Sequence, residues 1–154
     1  MKRTKPTGWK KHNRSGAALV EGAVIGSVFL LTLFVTLDLA LAVLRYNALS
    51  EASRSIARAA TVRGERSSAL TVWGPARVES TMSSEMMESI SAKGLLVTMD
   101  PDDVQLVMEW PDGGNQVNDR VRITLLYEYQ PLFKFGLGDS PFNLTAVSTM
   151  RIHH

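Results

Sequence analysis

The chain has 154 residues, with 17 lysines and arginines against 15 aspartates and glutamates and a formal net charge of +2. That length holds one small domain plus a membrane segment or tail, and it excludes a large multidomain enzyme. Six of the 17 basic residues (Lys2, Arg3, Lys5, Lys10, Lys11 and Arg14) stand in the first 16 positions with no acid among them, so the rest of the chain is net acidic and does not read as a nucleic-acid-binding domain.

The absence of cysteine removes disulfides, thiolate nucleophiles and cysteine-based metal centres. After the basic head comes an apolar run at 22–44, GAVIGSVFLLTLFVTLDLALAVL, whose only charge over 23 positions is Asp38. As a helix it would be about 35 Å long, enough to cross the hydrocarbon core of a bilayer. A buried core helix is the competing reading, but so long an apolar run lacks a polar face, and a domain this small could hardly cover all its sides. The basic head before the run, against Arg45 alone directly after it, orients the span with its amino terminus cytoplasmic and the bulk of the chain outside.

Two acids interrupt this apolar character. Asp38 lies near the outer end of the span, seven residues before Arg45 and on roughly the same helix face. It reads as an acid reaching toward the headgroups with a basic neighbour. Glu21 stands at the cytoplasmic entrance, where it is either an interfacial acid or an assembly residue. Gly16 closes the basic head five residues earlier, in the string RSG-AALVE that leads directly into the span.

This string resembles type IV prepilins, in which a dedicated peptidase cuts on the cytoplasmic side after the glycine and leaves the hydrophobic helix on the mature protein. The resemblance implies a cut between Gly16 and Ala17. Ala17 would then carry the new α-amine, with Glu21 as its i+4 neighbour, and the two charges are far less costly paired than apart at the bilayer edge. The partner can lie in the same chain or in a neighbouring subunit. A competing cut, at the small-x-small sequence Ala40-Leu41-Ala42, would release a secreted domain after Ala42. Its apolar approach is longer than a usual signal core and contains Asp38.

Beyond Leu44 the helical pattern continues without proline until Gly64, with apolar residues at Leu49, Ala52, Ile56, Ala59 and Ala60. One rod from about residue 17 to 62 is expected, with Arg58 and Arg63 near its C-terminal end, where cations suit the helix dipole. Its small-residue face packs either on the protein's own sheet or against another subunit. A connector is expected at 64–74. Pro75 then opens a second helix carrying Val78, Met82, Met86 and Ile90 and stopping at Gly94, with Met82, Met86 and Met87 as core filler.

From residue 95 the period changes to two. Strands are expected at 95–99 and 104–110, followed by a turn at the PDGG of 111–114. In the next strand Val121, Ile123, Leu125 and Tyr127 alternate with Arg122, Thr124, Leu126 and Glu128. Pro131 ends that strand, and 144–152 supplies a closing one. The fold class is therefore α+β: a long N-terminal transmembrane helix extending into a domain with a second helix and an antiparallel sheet of about four strands.

No catalytic constellation is visible, and neither a cofactor nor a metal is expected. The histidines are His12, in the basic head, and the terminal pair His153-His154, too few for a zinc site. Asp100, Asp102 and Asp103 around Pro101 read as a turn rather than a calcium loop, since no glutamate stands at the twelfth loop position.

The AALVEGAV opening after the glycine, LDLALAVLRYNALSEASRSIARAA, and VRITLLYEYQPLF followed by LTAVSTMR together resemble the TadE-like family, minor pilin-like (pseudopilin) proteins of the bacterial tight-adherence (Flp) pilus. The resemblance covers 14–64 and again 120–151. It departs from the family at Gly22, where members often carry an aromatic after the glutamate. It implies a prepilin-type leader at 1–16, a transmembrane helix at 17–44 and an extracytoplasmic α+β pilin-like domain at 45–154. It also implies residence in the bacterial inner membrane, with a prepilin peptidase and other pilin or pseudopilin subunits as partners. The role implied is structural rather than enzymatic. The alternative is an uncleaved single-pass anchor whose outer domain recruits partners within an envelope machine.

Overall fold

The structure is a computed structural model that describes residues 15–67, 70–88, 94, 96, 98–133 and 141–153. The basic head, Ile90 and Leu95 lie outside the described residues. By its contacts the chain divides into two units, Met1–Thr36 and Leu37–His154. The elements in order are α1 (Ser15–Thr61), β1 (Val78–Thr81), α2 (Glu85–Glu88), β2 (Val104–Glu109), β3 (Arg120–Tyr129) and β4 (Phe142–Arg151).

In the first unit, α1 exposes its apolar side chains on every side, and only 6% of the most apolar window of the helix is buried. A soluble core helix of this composition would be covered, so the exposed state fits an anchor in lipid. The hydroxyl-bearing residues of the run, Ser27, Thr32 and Thr36, bond within the helix. Ser27 donates to the Val24 carbonyl at 2.8 Å, Thr32 to that of Val28 at 2.9 Å and Thr36 to that of Thr32 at 2.8 Å. Hydroxyls bonded back to their own helix can stand in hydrocarbon without a further partner.

In the second unit the four strands form one antiparallel sheet in the order β1-β2-β3-β4. Its inner face carries Leu106 and Met108 from β2, Ile123 and Leu125 from β3, and Ala146 from β4, all buried in one cluster with Leu49, Ala52, Ile56 and Ala60 of α1. The extension of α1 therefore packs on the protein's own sheet, through positions three and four apart that share one helix face. The outer face, with Glu79, Gln105, Arg122, Glu128 and Thr145, stays solvated, which explains the clean alternation in β3. Beyond β4, the Ile152 amide donates to the Asp119 carbonyl at 2.9 Å, and the His153 amide to that of Thr61, at the end of α1, at 3.3 Å.

The expected second helix is corrected. Val78–Thr81 is not helical but forms β1, with Val78 opposite Met108 and Thr81 opposite Gln105. Three of the four residues, Val78, Ser80 and Thr81, are weaker helix formers, and the edge of β2 supplies backbone partners that the local period-four pattern does not reveal. Of that expected helix, Glu85–Glu88 is helical (α2) and 89–93 lie outside the described residues, while Met82 and Met87 are fully buried as core residues. The strand expected at 95–99 is also replaced. Leu96 and Met99 are both buried, and the Met99 amide donates to the Leu96 carbonyl at 3.1 Å, a turn of spacing three rather than a pleat of spacing two. The count of four strands is kept because β1 takes the place of that segment.

Candidate functional site

At the start of α1, Gly16, Ala17 and Glu21 are all exposed. Among the described residues, a side-chain carbon placed on Gly16 would meet nothing within 4 Å. Ala17 and Glu21 are one helical turn apart within α1, as the spacing requires. A helix beginning at Ala17 would hold the Glu21 carboxylate close to its N-terminal end, where the unpaired amides favour negative charge. The basic residues that precede Gly16 lie outside the described residues.

Asp38 gains partners from a distant part of the chain. It belongs to the second unit, where the end of β3 is folded against it. The Tyr129 hydroxyl lies against both the Asp38 carboxylate and, at 3.0 Å, the Asp38 carbonyl, and the Leu132 amide donates to the same carboxylate at 3.2 Å. Alternation along β3 turns Tyr127 and Tyr129 toward the helix, and Pro131, which has no amide hydrogen, follows the last paired residue, Tyr129.

Arg45 shares the Asp38 side of the helix, but the two tyrosines link it to Asp38. Its Nη1 donates to the Tyr127 hydroxyl at 3.0 Å, and its guanidinium carbon lies 5.5 Å from the Tyr127 ring centre and 5.2 Å from that of Tyr129. Burial, then the hydrogen bond to Asp38 and its charge, push the Tyr129 hydroxyl up to about 12, with Arg45 opposing. The clasp satisfies the one charged residue of the 22–44 run and fastens residues 129–132 to α1. Nothing local in the sequence points to Tyr129 or Leu132 as its partners, because they lie 91 and 94 residues away.

Two further acids serve the fold. Asp100 caps the short 3-10 turn Pro101–Asp103 by accepting from the Asp102 amide at 3.0 Å, the turn reading expected for this cluster. Asp112, in the turn before β3, accepts from the Arg120 backbone amide at 2.8 Å and its guanidinium at 2.6 Å. Arg63 lies over the Trp73 ring at 4.4 Å and donates to the Ala59 carbonyl at 3.1 Å, so it caps the end of α1 as its position suggests. Among the described residues no group of three or more histidine, cysteine, aspartate or glutamate side chains could hold a metal.

Compared with known proteins, residues 16–58 match the model of the TadE-like protein family. The match opens at Gly16 and ends within the packed part of α1, so this stretch is TadE-like; the likeness over 120–151 lies outside it. No curated protein and no solved structure matches the chain.

Proposed function

With residues 16–58 TadE-like, we propose that this protein is a minor pilin-like subunit of a tight-adherence (Flp) pilus or a related secretion apparatus, structural or assembly-promoting and not enzymatic. The observation that carries this reading is the family match, which covers the exposed apolar helix from the proposed cut site onward.

In this reading the chain enters the bacterial inner membrane with its basic head cytoplasmic and its α+β domain outside. A prepilin peptidase removes 1–16, and the α-amine created at Ala17 pairs with Glu21 on the same chain or on a neighbouring pilin or pseudopilin subunit. The exposed apolar helix then moves from lipid into contact with other subunits.

An uncleaved single-pass anchor is the second reading, and it uses the same helix without the cut. Release after Ala42 fits the geometry less well. It would remove Asp38, the acceptor for Tyr129 and Leu132, and Ala42 itself is buried in the core.

Intact mass and amino-terminal sequencing of the native protein from host membranes test the proposal. A chain starting at Ala17 supports it, one retaining Met1 selects the uncleaved anchor, and one starting at Val43 selects the secreted domain.

A further inference from the structure

We infer that the exposed apolar tip formed by Leu132 and Phe142 is a second membrane contact, seated in the outer headgroup–acyl boundary of the bilayer that α1 spans. This rests on the membrane-anchored reading above and holds whether or not the leader is cut.

The apolar run at 22–44 has 23 residues, and about 20 residues of helix suffice for the hydrocarbon core. Asp38 stands in the last third of that run, toward its outer end, and through its carboxylate it holds the Leu132 amide at 3.2 Å. Whatever depth Asp38 takes, Leu132 takes nearly the same.

Leu132 is 64% exposed and Phe142 46% exposed, although Phe142 sits 5.0 Å, centre to centre, from the Tyr129 ring inside the clasp. On α1, Leu39 and Val43 are exposed as well. Exposed apolar side chains are thus found just after β3, at the start of β4 and on the stretch of α1 that bears Asp38. An aqueous setting would leave this patch uncovered, whereas the lipid already required by α1 is continuous with it.

The polar neighbours also suit that depth. Arg45 and the tyrosine hydroxyls are charged or amphipathic groups of the kind that collect at the headgroup level. The far end of the sheet is unlike this one. Val117, just before β3, is 38% exposed beside Asn118, whose amide donates to the Ile152 carbonyl at 3.0 Å.

The protein has no cysteine, so single-cysteine labelling of the full chain is direct. Leu132→Cys, Val28→Cys and Val117→Cys would each carry an environment-sensitive fluorophore, with the protein reconstituted in phosphatidylethanolamine/phosphatidylglycerol vesicles. Quenching by lipids bearing a nitroxide near the headgroup is compared with quenching by aqueous iodide. Val28, 60% exposed in the apolar run, reports the membrane helix itself.

The expected result is strong lipid quenching at Val28, several-fold more lipid quenching at Leu132 than at Val117, and the reverse order with iodide. Lipid quenching at Val28 with Leu132 behaving like Val117 overturns the second contact and leaves the anchor standing. Failure at Val28 overturns the anchored reading and this inference with it. A Leu132 label shielded from both quenchers means that protein covers the tip, which also overturns the inference.

Discussion

The Tyr129 hydroxyl, at the end of β3, is held against the carboxylate of Asp38, 91 residues earlier in the chain and inside the apolar run. One hydrogen bond thus closes the sheet onto the helix where the two acidic and basic side chains of that helix face, Asp38 and Arg45, flank a pair of tyrosines. An acid that the sequence sets beside Arg45 is, in the fold, also a fastening for the end of β3.

Replacing Tyr129 by Phe keeps the ring, and with it the contacts to Arg45 and Phe142, while removing the donor. Asp38 then retains only the Leu132 amide from this cluster. A loss of about 1–2 kcal/mol is expected, the size of a hydrogen bond to a charged group that is partly open to solvent. Denaturant unfolding of the full chain in detergent micelles measures it, and an unchanged midpoint would mean that solvent serves Asp38 equally well.

The same hydroxyl sets an alkaline limit. Its pKa stands at about 12 against an ordinary 10.0. The neutral form is the one the fold favours, so the contribution is fully present below pH 10 and disappears as pH rises through 12. Ultraviolet titration of the three tyrosines should show one late component, and Tyr129→Phe should abolish it. Three tyrosines ionising together near the ordinary value would refute the assignment.

At the opposite end of β3, the Arg120 guanidinium and backbone amide lower the Asp112 carboxyl from 3.8 to about 2. Here the charged form is favoured by folding, so its contribution is present above pH 3.8 and is lost as pH falls through 2. Asp112→Asn should therefore be less stable than the parent at neutral pH, with the difference shrinking as pH drops across that window. A stability difference that stays constant down to pH 2 would show that the turn, not the charge, is responsible.

Glu21 separates a pilin-like subunit from a plain anchor. A carboxylate at the lipid edge can reach the headgroups when the protein is alone, but packed among other helices it needs a positive partner. Glu21→Gln keeps the shape and removes the charge. The variant should reach the inner-membrane fraction at normal level and co-purify less with other pilus subunits. Co-purification at the parental level would reduce Glu21 to an interfacial acid.

Sequence alone determined the features that depend on local periodicity and local charge. The 22–44 run, the face bearing Leu49, Ala52 and Ile56, and the alternation of Val121, Ile123, Leu125 and Tyr127 each follow from neighbours a few residues apart. The opening RSG-AALVE was legible for the same reason, and the family match begins there. Tertiary structure decided what depends on distant partners. Residues 78–81 satisfy a period-four pattern and still become β1, because β2 offers a hydrogen-bonding edge that no local window contains. Asp38 reads as an acid beside Arg45, and only the closed fold brings Tyr129 and Leu132 to it. A buried or half-buried polar group takes the partner that the closed chain places within reach, and sequence spacing carries no record of a contact made across 91 residues.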